Sequence, residues 1–145
     1  MQVTGPLRGQ GRLCESILRQ LPDWFAIEKS IQDYAREVDR LDTFCIGDQG
    51  FLSLKNHFPQ AAEIYVMGVL QRGCGLGSAL LEAAQQHLRA QGVALLQVKT
   101  LAPTVDHAPY AQTRAFYQRA GFVPVEIFPD LWDPQNPCLL MVKSL

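Results

Sequence analysis

Three closely spaced glycines constrain the fold of this chain more than any other feature. Gly73, Gly75 and Gly77 lie between an apolar segment, 61–70, and a segment with helical periodicity. Residues 61–70 contain several β-branched and aromatic side chains, which predicts a strand. The segment after the glycines predicts a helix, because its apolar residues recur at the spacing of one buried face. These residues are Leu76, Ala79, Leu80, Ala83, Ala84 and Leu88.

A second strand is predicted after this helix. Gly92 is placed to end the helix, because glycine is the preferred residue just beyond a helix C-terminus. Residues 93–101 are too apolar for a half-exposed strand and predict a central, parallel strand. Residues 61–101 are therefore predicted to form a strand–helix–strand unit, whose connection is normally right-handed.

The flanking segments add further elements to this unit. Residues 1–41 show the spacing of helices, with a break at Pro22 and Asp23. The remaining predicted elements are a hairpin at 43–46 and 51–54, a helix at 110–120, a strand at 122–128, a proline-rich loop at 129–137 and a strand at 138–143. This order predicts an α/β protein in which helices cover a mixed sheet, as one domain spanning residues 1–145.

The glycine turn has two interpretations. Glycine permits positive φ and the close approach of another group. The unpaired N–H groups at a helix start can bind phosphate, and Arg72 could add a charged contact. Alternatively, the turn only brings the helix close to the sheet. A mononucleotide-binding loop is disfavoured because Ser78, and not lysine, follows the last glycine. A dinucleotide-binding loop is disfavoured because its glycine spacing differs.

Two segments resemble one family. Residues 72–77, Arg-Gly-Cys-Gly-Leu-Gly, resemble the Q/R-x-x-G-x-G/A motif with which the GNAT family of N-acetyltransferases binds the diphosphate of acyl-CoA. Residues 116–122 are similar to the family's F-Y-x-x-x-G-F segment, which runs from a helix into a strand. Residues 63–69 stand where the family's fourth strand leads into the diphosphate motif. The resemblance covers residues 42–145, and more loosely the helices before them.

The sequence departs from the family pattern in two places. Only two residues separate Val69 from Arg72, fewer than members usually have. Many members carry an asparagine early in the later helix, and here Tyr110 stands near that place. The first departure bears on how the diphosphate is held.

The resemblance implies both a fold and a reaction. It implies a mostly antiparallel central sheet flanked by helices, with the strand–helix–strand unit as the core that binds acyl-CoA. It implies an acetyl-CoA-dependent N-acetyltransferase that moves an acetyl group from the thioester directly to an amine, without a metal. The residues that it places against the coenzyme are Met67, Gly68, Val69, Arg72, Gly73, Cys74, Gly75, Leu76, Gly77 and Ser78. A non-catalytic acyl-CoA-binding sensor or interaction module of the same fold is the alternative.

Such a reaction requires a base for the amine and an acid for the leaving thiolate. A primary amine has a pKa near 10.4, so supplying its neutral form near pH 7.4 costs roughly 4 kcal/mol. By the resemblance, Tyr117 is the acid, and core packing beside Phe116 is the alternative. A backbone N–H aimed at the thioester oxygen would stabilise the negative charge that develops there.

Glu63 is the candidate base. Residues 62–64 are similar to the strand that bears the base in some family members, and a solvated glutamate at a strand start is the alternative. Alternation along the strand predicts two faces. One carries Glu63, Tyr65, Met67 and Val69, and the other carries Ile64 and Val66.

Composition excludes several other classes. The chain has 145 residues, of which 13 are basic and 14 acidic, and this balance disfavours a nucleic-acid-binding protein. It has neither a run of about 20 apolar residues nor a signal peptide, which predicts a cytoplasmic protein without membrane contact. The four cysteines lack C-x-x-C spacing and the three histidines are scattered, so no metal site is expected. The acceptor is expected to be a small-molecule or peptide amine, and the protein a monomer or homodimer. Tyr34 and Trp132 are candidate walls of an acceptor pocket, and partly buried packing is the alternative for both.

Overall fold

The computed structural model describes residues 2–145, in which seven strands form one sheet and four helices pack against it. In chain order the elements are β1 (Thr4–Leu7), α1 (Gly11–Arg19), α2 (Glu28–Val38), β2 (Asp42–Ile46), β3 (Gly50–Phe58), β4 (Ala61–Val69), α3 (Leu76–Ala90), β5 (Leu95–Leu101), α4 (Ala108–Arg119), β6 (Val123–Asp133) and β7 (Asn136–Ser144). The sheet order is β1-β2-β3-β4-β5-β7-β6, and only β4 and β5 are parallel. The predicted class, an α/β fold with a mostly antiparallel sheet, is confirmed.

The predicted strand–helix–strand unit is β4–α3–β5. The helix begins at the glycine turn and ends where Gly92, with φ of +80°, takes the left-handed conformation just past its last turn. The predicted apolar face of α3 packs on the sheet, and Leu80, Ala84 and Leu88 have no exposed surface. The two parallel strands pair only from Ala61↔Leu95 to Ile64↔Val98, although both continue beyond this point.

Two hydrophobic cores lie on opposite faces of the sheet. The larger one lies under α3 and includes Tyr117 of α4, and the smaller one lies under α1 and α2. In the smaller core Cys14, Ile17 and Leu18 of α1 are fully buried, as their helical spacing predicted. The sheet is therefore covered on both sides, and a side chain of β4 points into one core or the other.

A β-bulge in β4 makes the predicted alternation of its faces wrong. Ser53 pairs with Val66, but the next residue of β3, Leu54, pairs with Ile64, so Tyr65 is the extra residue. Ile64 and Met67 consequently pack toward α3, while Val66 packs toward α1. Met67 and Val69 therefore do not share a face with Glu63, and Ile64 and Val66 do not share one either. A one-residue insertion shifts the alternation of faces by one position. The side chains beyond it therefore point to the face opposite the predicted one.

Both ends of the sheet differ from the prediction. The proline-rich segment 129–137 is not a loop, because β6 continues to Asp133 and β7 begins at Asn136. Pro129 is tolerated because β6 is an edge strand, where a missing N–H breaks no ladder bond. At the opposite edge, β1 lies in the segment predicted to be helical. Its residues, Thr-Gly-Pro-Leu, carry no strand pattern, and β2 holds them by pairing.

No helix of residues 2–145 has the length and apolar character needed to cross a bilayer.

Candidate active site

The glycine turn leaves backbone donors exposed at the start of α3. Gly73 and Gly75 adopt left-handed conformations, with φ of +76° and +86°, and Gly75 caps the helix without a side chain. The first bond inside α3 is from the N–H of Ala79 to the carbonyl of Gly75, at 3.0 Å. The N–H groups of residues 76–78 thus have no partner within the helix, and the helix dipole adds partial positive charge there.

The third glycine of the motif has a packing role. A Cβ atom added to Gly77 would lie 3.2 Å from the ring of Phe116, so this glycine allows α3 and α4 to approach each other closely. A Cβ on Gly73, in contrast, would meet nothing within 4 Å. The turn thus combines a packing position at Gly77 with open space and a positive φ at Gly73.

The strands on the sheet side of this turn separate. Beyond the pair Ile64↔Val98, residues 65–69 of β4 form no ladder with β5, and their backbone groups face the gap on that side. On its other side β4 remains paired with β3 as far as Val69↔Gly50. The gap therefore presents the edge of a strand to which an extended ligand can add backbone hydrogen bonds.

A cavity of about 570 Å³ joins the glycine turn to this gap. Its wall includes most of the residues that the resemblance placed against coenzyme A, namely Met67, Gly68, Val69, Arg72, Gly73, Gly75, Leu76, Gly77 and Ser78. Cys74 lies outside the wall, with its exposed thiol 3.4 Å from the carbonyl oxygen of Gln71. The volume is that of an ordinary ligand pocket.

Gly68 lies where α1 presses on the sheet. A Cβ at this position would lie 3.1 Å from Ile17 Cγ2 and 3.1 Å from Leu21 Cδ1. A glycine inside a strand commonly marks a bulge or the close approach of another segment. The close approach is present and comes from α1, whereas the bulge lies three residues earlier, at Tyr65.

Tyr117 reaches the cavity from α4. Its side chain is almost fully buried, between the rings of Phe116 and Phe122, whose centroids each lie 5.4 Å from its own. Burial raises the pKa of this tyrosine well above its usual value near 10, and Tyr110 adds to the shift while Arg72 opposes it. Among residues 2–145 its hydroxyl has no hydrogen-bond partner, so the group is protonated and free to donate.

Glu63 lies just behind the cavity wall, within a polar cluster that spans three strands. Its side chain is only 7% exposed, and its carboxylate accepts from Lys99 at 3.1 Å and contacts His57 Nε2 at 2.7 Å. Gln97 lies 3.5 Å away. The solvated glutamate considered from the sequence is thus replaced by a buried, ion-paired one. Lys99 connects the two regions, because it also lines the cavity.

Thr100 is a site residue that sequence reasoning missed. It lines the cavity from β5, is buried, and its Oγ1 has no hydrogen-bond partner among the described residues. Buried hydroxyls are nearly always paired, so this unpaired hydroxyl in the cavity wall is available to a ligand. A threonine in an apolar strand has no sequence signal for this role.

Aromatic side chains enclose the rest of the cavity. Trp24 connects three elements, because Arg72 stacks on its ring at 4.8 Å and its indole N–H donates to Thr113 Oγ1 at 3.1 Å. The hydroxyl of Tyr110 donates to the carbonyl oxygen of Trp24 at 2.8 Å. Tyr34 and Trp132, the two candidate walls of an acceptor pocket, both line the cavity. Residues 2–145 hold no group of three or more His, Cys, Asp or Glu side chains arranged for a metal ion.

Comparison with known proteins identifies the same family. Residues 38–124 match the family model described as an acetyltransferase (GNAT) domain. No curated protein sequence matches the chain. The fold is similar to that of a GNAT-family protein from Desulfovibrio desulfuricans, with a TM-score of 0.81, 18% identity and coverage of 99% of this chain and 98% of the other.

Two further structures have the same fold. One is the ribosomal-protein-S18-alanine N-acetyltransferase from Escherichia coli, with a TM-score of 0.76, 20% identity and coverage of 99% of this chain and 92% of that one. The other is a GNAT family acetyltransferase from Elizabethkingia anophelis with acetyl-CoA bound, with a TM-score of 0.72, 14% identity and coverage of 99% and 97%. Identities this low establish the fold alone, whereas the family model covers more than half of the chain. The chain therefore belongs to the GNAT acetyltransferase family.

Proposed function

We propose that this protein is an acetyl-CoA-dependent N-acetyltransferase that moves an acetyl group from the thioester directly to an amine. One observation carries the proposal. A single cavity joins the unpaired amides at the start of α3 to the open edge of β4 and to the hydroxyl of Tyr117. Anion binding, strand addition and proton donation are the three capacities that binding and using acetyl-CoA require.

The wall of the cavity fits coenzyme A. The N–H groups of residues 76–78, together with the guanidinium of Arg72, suit the diphosphate. The backbone of Met67–Val69 suits the amides of the pantetheine arm, and the orphan hydroxyl of Thr100 supplies a further hydrogen bond from the opposite side of the gap. Acetyl-CoA supplies the acetyl group as a thioester, and these residues bind and orient the coenzyme.

Tyr117 acts as the general acid. As the amine nitrogen bonds to the carbonyl carbon, the bond from that carbon to sulfur breaks and leaves a thiolate. Tyr117 donates its phenolic proton to this sulfur and regains a proton from solvent. Its raised pKa keeps the hydroxyl protonated at any physiological pH, so the proton is present when the thiolate forms.

Glu63 acts as the base, and the polar cluster around it carries the proton to solvent. Its carboxylate takes a proton from the ammonium form of the amine through water, since it lies behind the wall rather than in it. The nitrogen releases its remaining extra proton to water once the amide bond has formed. His57, in contact with the carboxylate and about one-third exposed, passes that proton to solvent. Lys99 orients the carboxylate through its contact at 3.1 Å.

The test of the proposed function is a thiol-release assay with acetyl-CoA and a panel of amines. We expect amine-dependent release of coenzyme A and formation of the N-acetyl product, identified by mass spectrometry. Binding of coenzyme A without turnover of any amine would instead support a non-catalytic acyl-CoA-binding module. Absence of both binding and turnover would refute the proposed function.

Replacing Glu63 with glutamine tests the base. We expect Glu63→Gln to lower kcat/KM at pH 7 by about 100-fold, within the usual range for a general base. The deficit should shrink as the pH rises toward the amine pKa near 10.4, because the amine then loses its proton unaided. The measurement is the pH profile of kcat/KM for both proteins.

A carboxylate outside the cavity provides the control for this change. Glu37 is also partly buried and ion-paired, with Arg40 at 2.7 Å and Lys55 at 3.7 Å. Glu37→Gln should leave the pH profile unchanged. A Glu63→Gln deficit that is the same at every pH would show that Glu63 only supports the structure.

Replacing Thr100 with valine separates binding from stability. Because the Thr100 hydroxyl lacks a partner, Thr100→Val should leave the free energy of unfolding unchanged or raise it by up to about 1 kcal/mol. The same change should weaken coenzyme A binding by about fivefold, through loss of one hydrogen bond. Thermal melts and calorimetric titration measure the two effects.

Thr43→Val is the matched control. The Thr43 hydroxyl is fully buried and lies 2.8 Å from Ser53 Oγ, outside the cavity. Its loss should cost about 1 kcal/mol of stability and leave coenzyme A binding intact. Loss of stability in Thr100→Val together with unchanged coenzyme A affinity would contradict the assignment of Thr100.

A further inference from the structure

The wall of the cavity beyond the glycine turn is rich in aromatic residues. Besides Phe116 and Tyr117, six of its side chains carry rings: Trp24, Phe25, Tyr34, Tyr65, Tyr110 and Trp132. The rings brace one another, with centroids 5.9 Å apart for Phe25 and Tyr34 and 5.4 Å apart for Tyr34 and Tyr65. They come from the α1–α2 connection, α2, β4, α4 and β6, which surround the gap on several sides. This part of the cavity therefore presents the faces and edges of rigid rings.

The same wall contains no carboxylate from any of the described residues 2–145. Its ionisable side chains other than tyrosine are Arg72, Lys99 and Arg119, all of them cations. Glu63, behind the wall, is already bound to Lys99. Burial raises the pKa of Tyr65 and of Tyr110 to about 12, so their hydroxyls carry no charge at neutral pH. A ligand here meets aromatic rings and positive charge, and no free negative charge.

We propose that the acceptor is a small primary amine with an aromatic body and no second ammonium group. This inference rests on the proposed function and names the substrate class of the same site. Aromatic faces bind a flat ring by stacking and hold one ammonium group by cation–π attraction. Each additional ammonium group would lose water without gaining a carboxylate partner and would be repelled by Lys99 and Arg72.

A panel of four probes tests the acceptor class. They are 2-phenylethylamine, the diamine 1,5-diaminopentane, the polycation kanamycin and tri-alanine, a peptide with a free N-terminus. We expect kcat/KM for 2-phenylethylamine to exceed that for each of the others by at least about tenfold. If any of the other three equals or exceeds 2-phenylethylamine, the inference is wrong, while the N-acetyltransferase function stands.

A substitution at the rim tests the aromatic wall directly. Trp132 is 46% exposed, so Trp132→Ala should leave the fold intact. We expect it to raise KM for 2-phenylethylamine by about tenfold and to change the coenzyme A Kd by less than about twofold. Leu131, the adjacent residue of β6, is similarly exposed but lies outside the wall, so Leu131→Ala is the matched control. An equal KM for Trp132→Ala and the wild-type protein would overturn the inference.

A binding measurement separates failure of this inference from failure of the proposed function. Both tryptophans of the chain, Trp24 and Trp132, line the cavity, so intrinsic fluorescence reports on its occupancy. If no amine is turned over, saturable quenching by 2-phenylethylamine in the presence of coenzyme A still supports the aromatic binding site. Absence of any fluorescence change under these conditions would overturn it.

Discussion

Replacing Tyr117 with phenylalanine is expected to lower kcat by about 100-fold or more, the usual contribution of a general acid. The change removes only a hydroxyl that has no partner among residues 2–145, and the ring keeps its packing between Phe116 and Phe122. The melting temperature and the coenzyme A Kd should therefore stay close to those of the wild-type protein. The loss corresponds to about 2.7 kcal/mol of transition-state stabilisation. Steady-state kinetics and a calorimetric titration on the same preparation measure both effects.

Tyr110→Phe provides the contrast on the same helix. The Tyr110 hydroxyl donates to the carbonyl oxygen of Trp24 at 2.8 Å, so it is already committed to holding the α1–α2 connection. Its loss should lower stability by about 1 kcal/mol and affect KM more than kcat. Equal losses of kcat in the two variants, or a normal kcat for Tyr117→Phe, would contradict the role of Tyr117 as the acid.

Placing valine at Gly73 is expected to weaken coenzyme A binding by a factor on the order of 100, because the side chain would cover the exposed amides of the turn. Gly73 has a φ of +76° and lines the cavity, and a Cβ there would point into open space. The backbone penalty of a β-branched residue in this conformation is about 1–2 kcal/mol, which lowers stability but does not by itself explain a loss of ligand affinity.

Gly92→Val is a closely matched control at the other end of α3. Gly92 has a φ of +80°, a Cβ there would also meet nothing within 4 Å, and the residue lies outside the cavity wall. Both variants should lose similar stability in chemical denaturation, and only Gly73→Val should lose affinity for coenzyme A. Equal coenzyme A affinities in the two variants would show that the turn does not contact the ligand.

The elements that could be predicted from the sequence are those set by local patterns. The end of β4, the glycine turn and the periodic face of α3 are contiguous, so the local sequence predicts these elements together with the exposed amides at the start of α3. Tyr117 and Glu63 were located because their segments resemble the family. The edge strand β1 was missed because its conformation depends on pairing with β2, and Thr-Gly-Pro-Leu has no strand preference.

The parts that could not be predicted depend on contacts between distant segments. The bulge at Tyr65 is defined by the register with β3, and it reverses the faces of Met67 and Val69 relative to Glu63. Thr100 borders the cavity because β4 and β5 separate after Ile64 and leave a gap between the two strands. Likewise, a sequence pattern can indicate a carboxylate at Glu63 but not its partners His57 and Lys99, which reach it from β3 and β5.

The most direct test of the account is calorimetric titration of the wild-type protein with coenzyme A and, separately, with pantetheine, which lacks the diphosphate and nucleotide. We propose that the exposed amides of residues 76–78 and Arg72 bind the diphosphate. We therefore expect one binding site for coenzyme A and an affinity for pantetheine that is weaker by a factor on the order of 100. A flat trace for coenzyme A, or equal affinity for the two ligands, would contradict this binding mode.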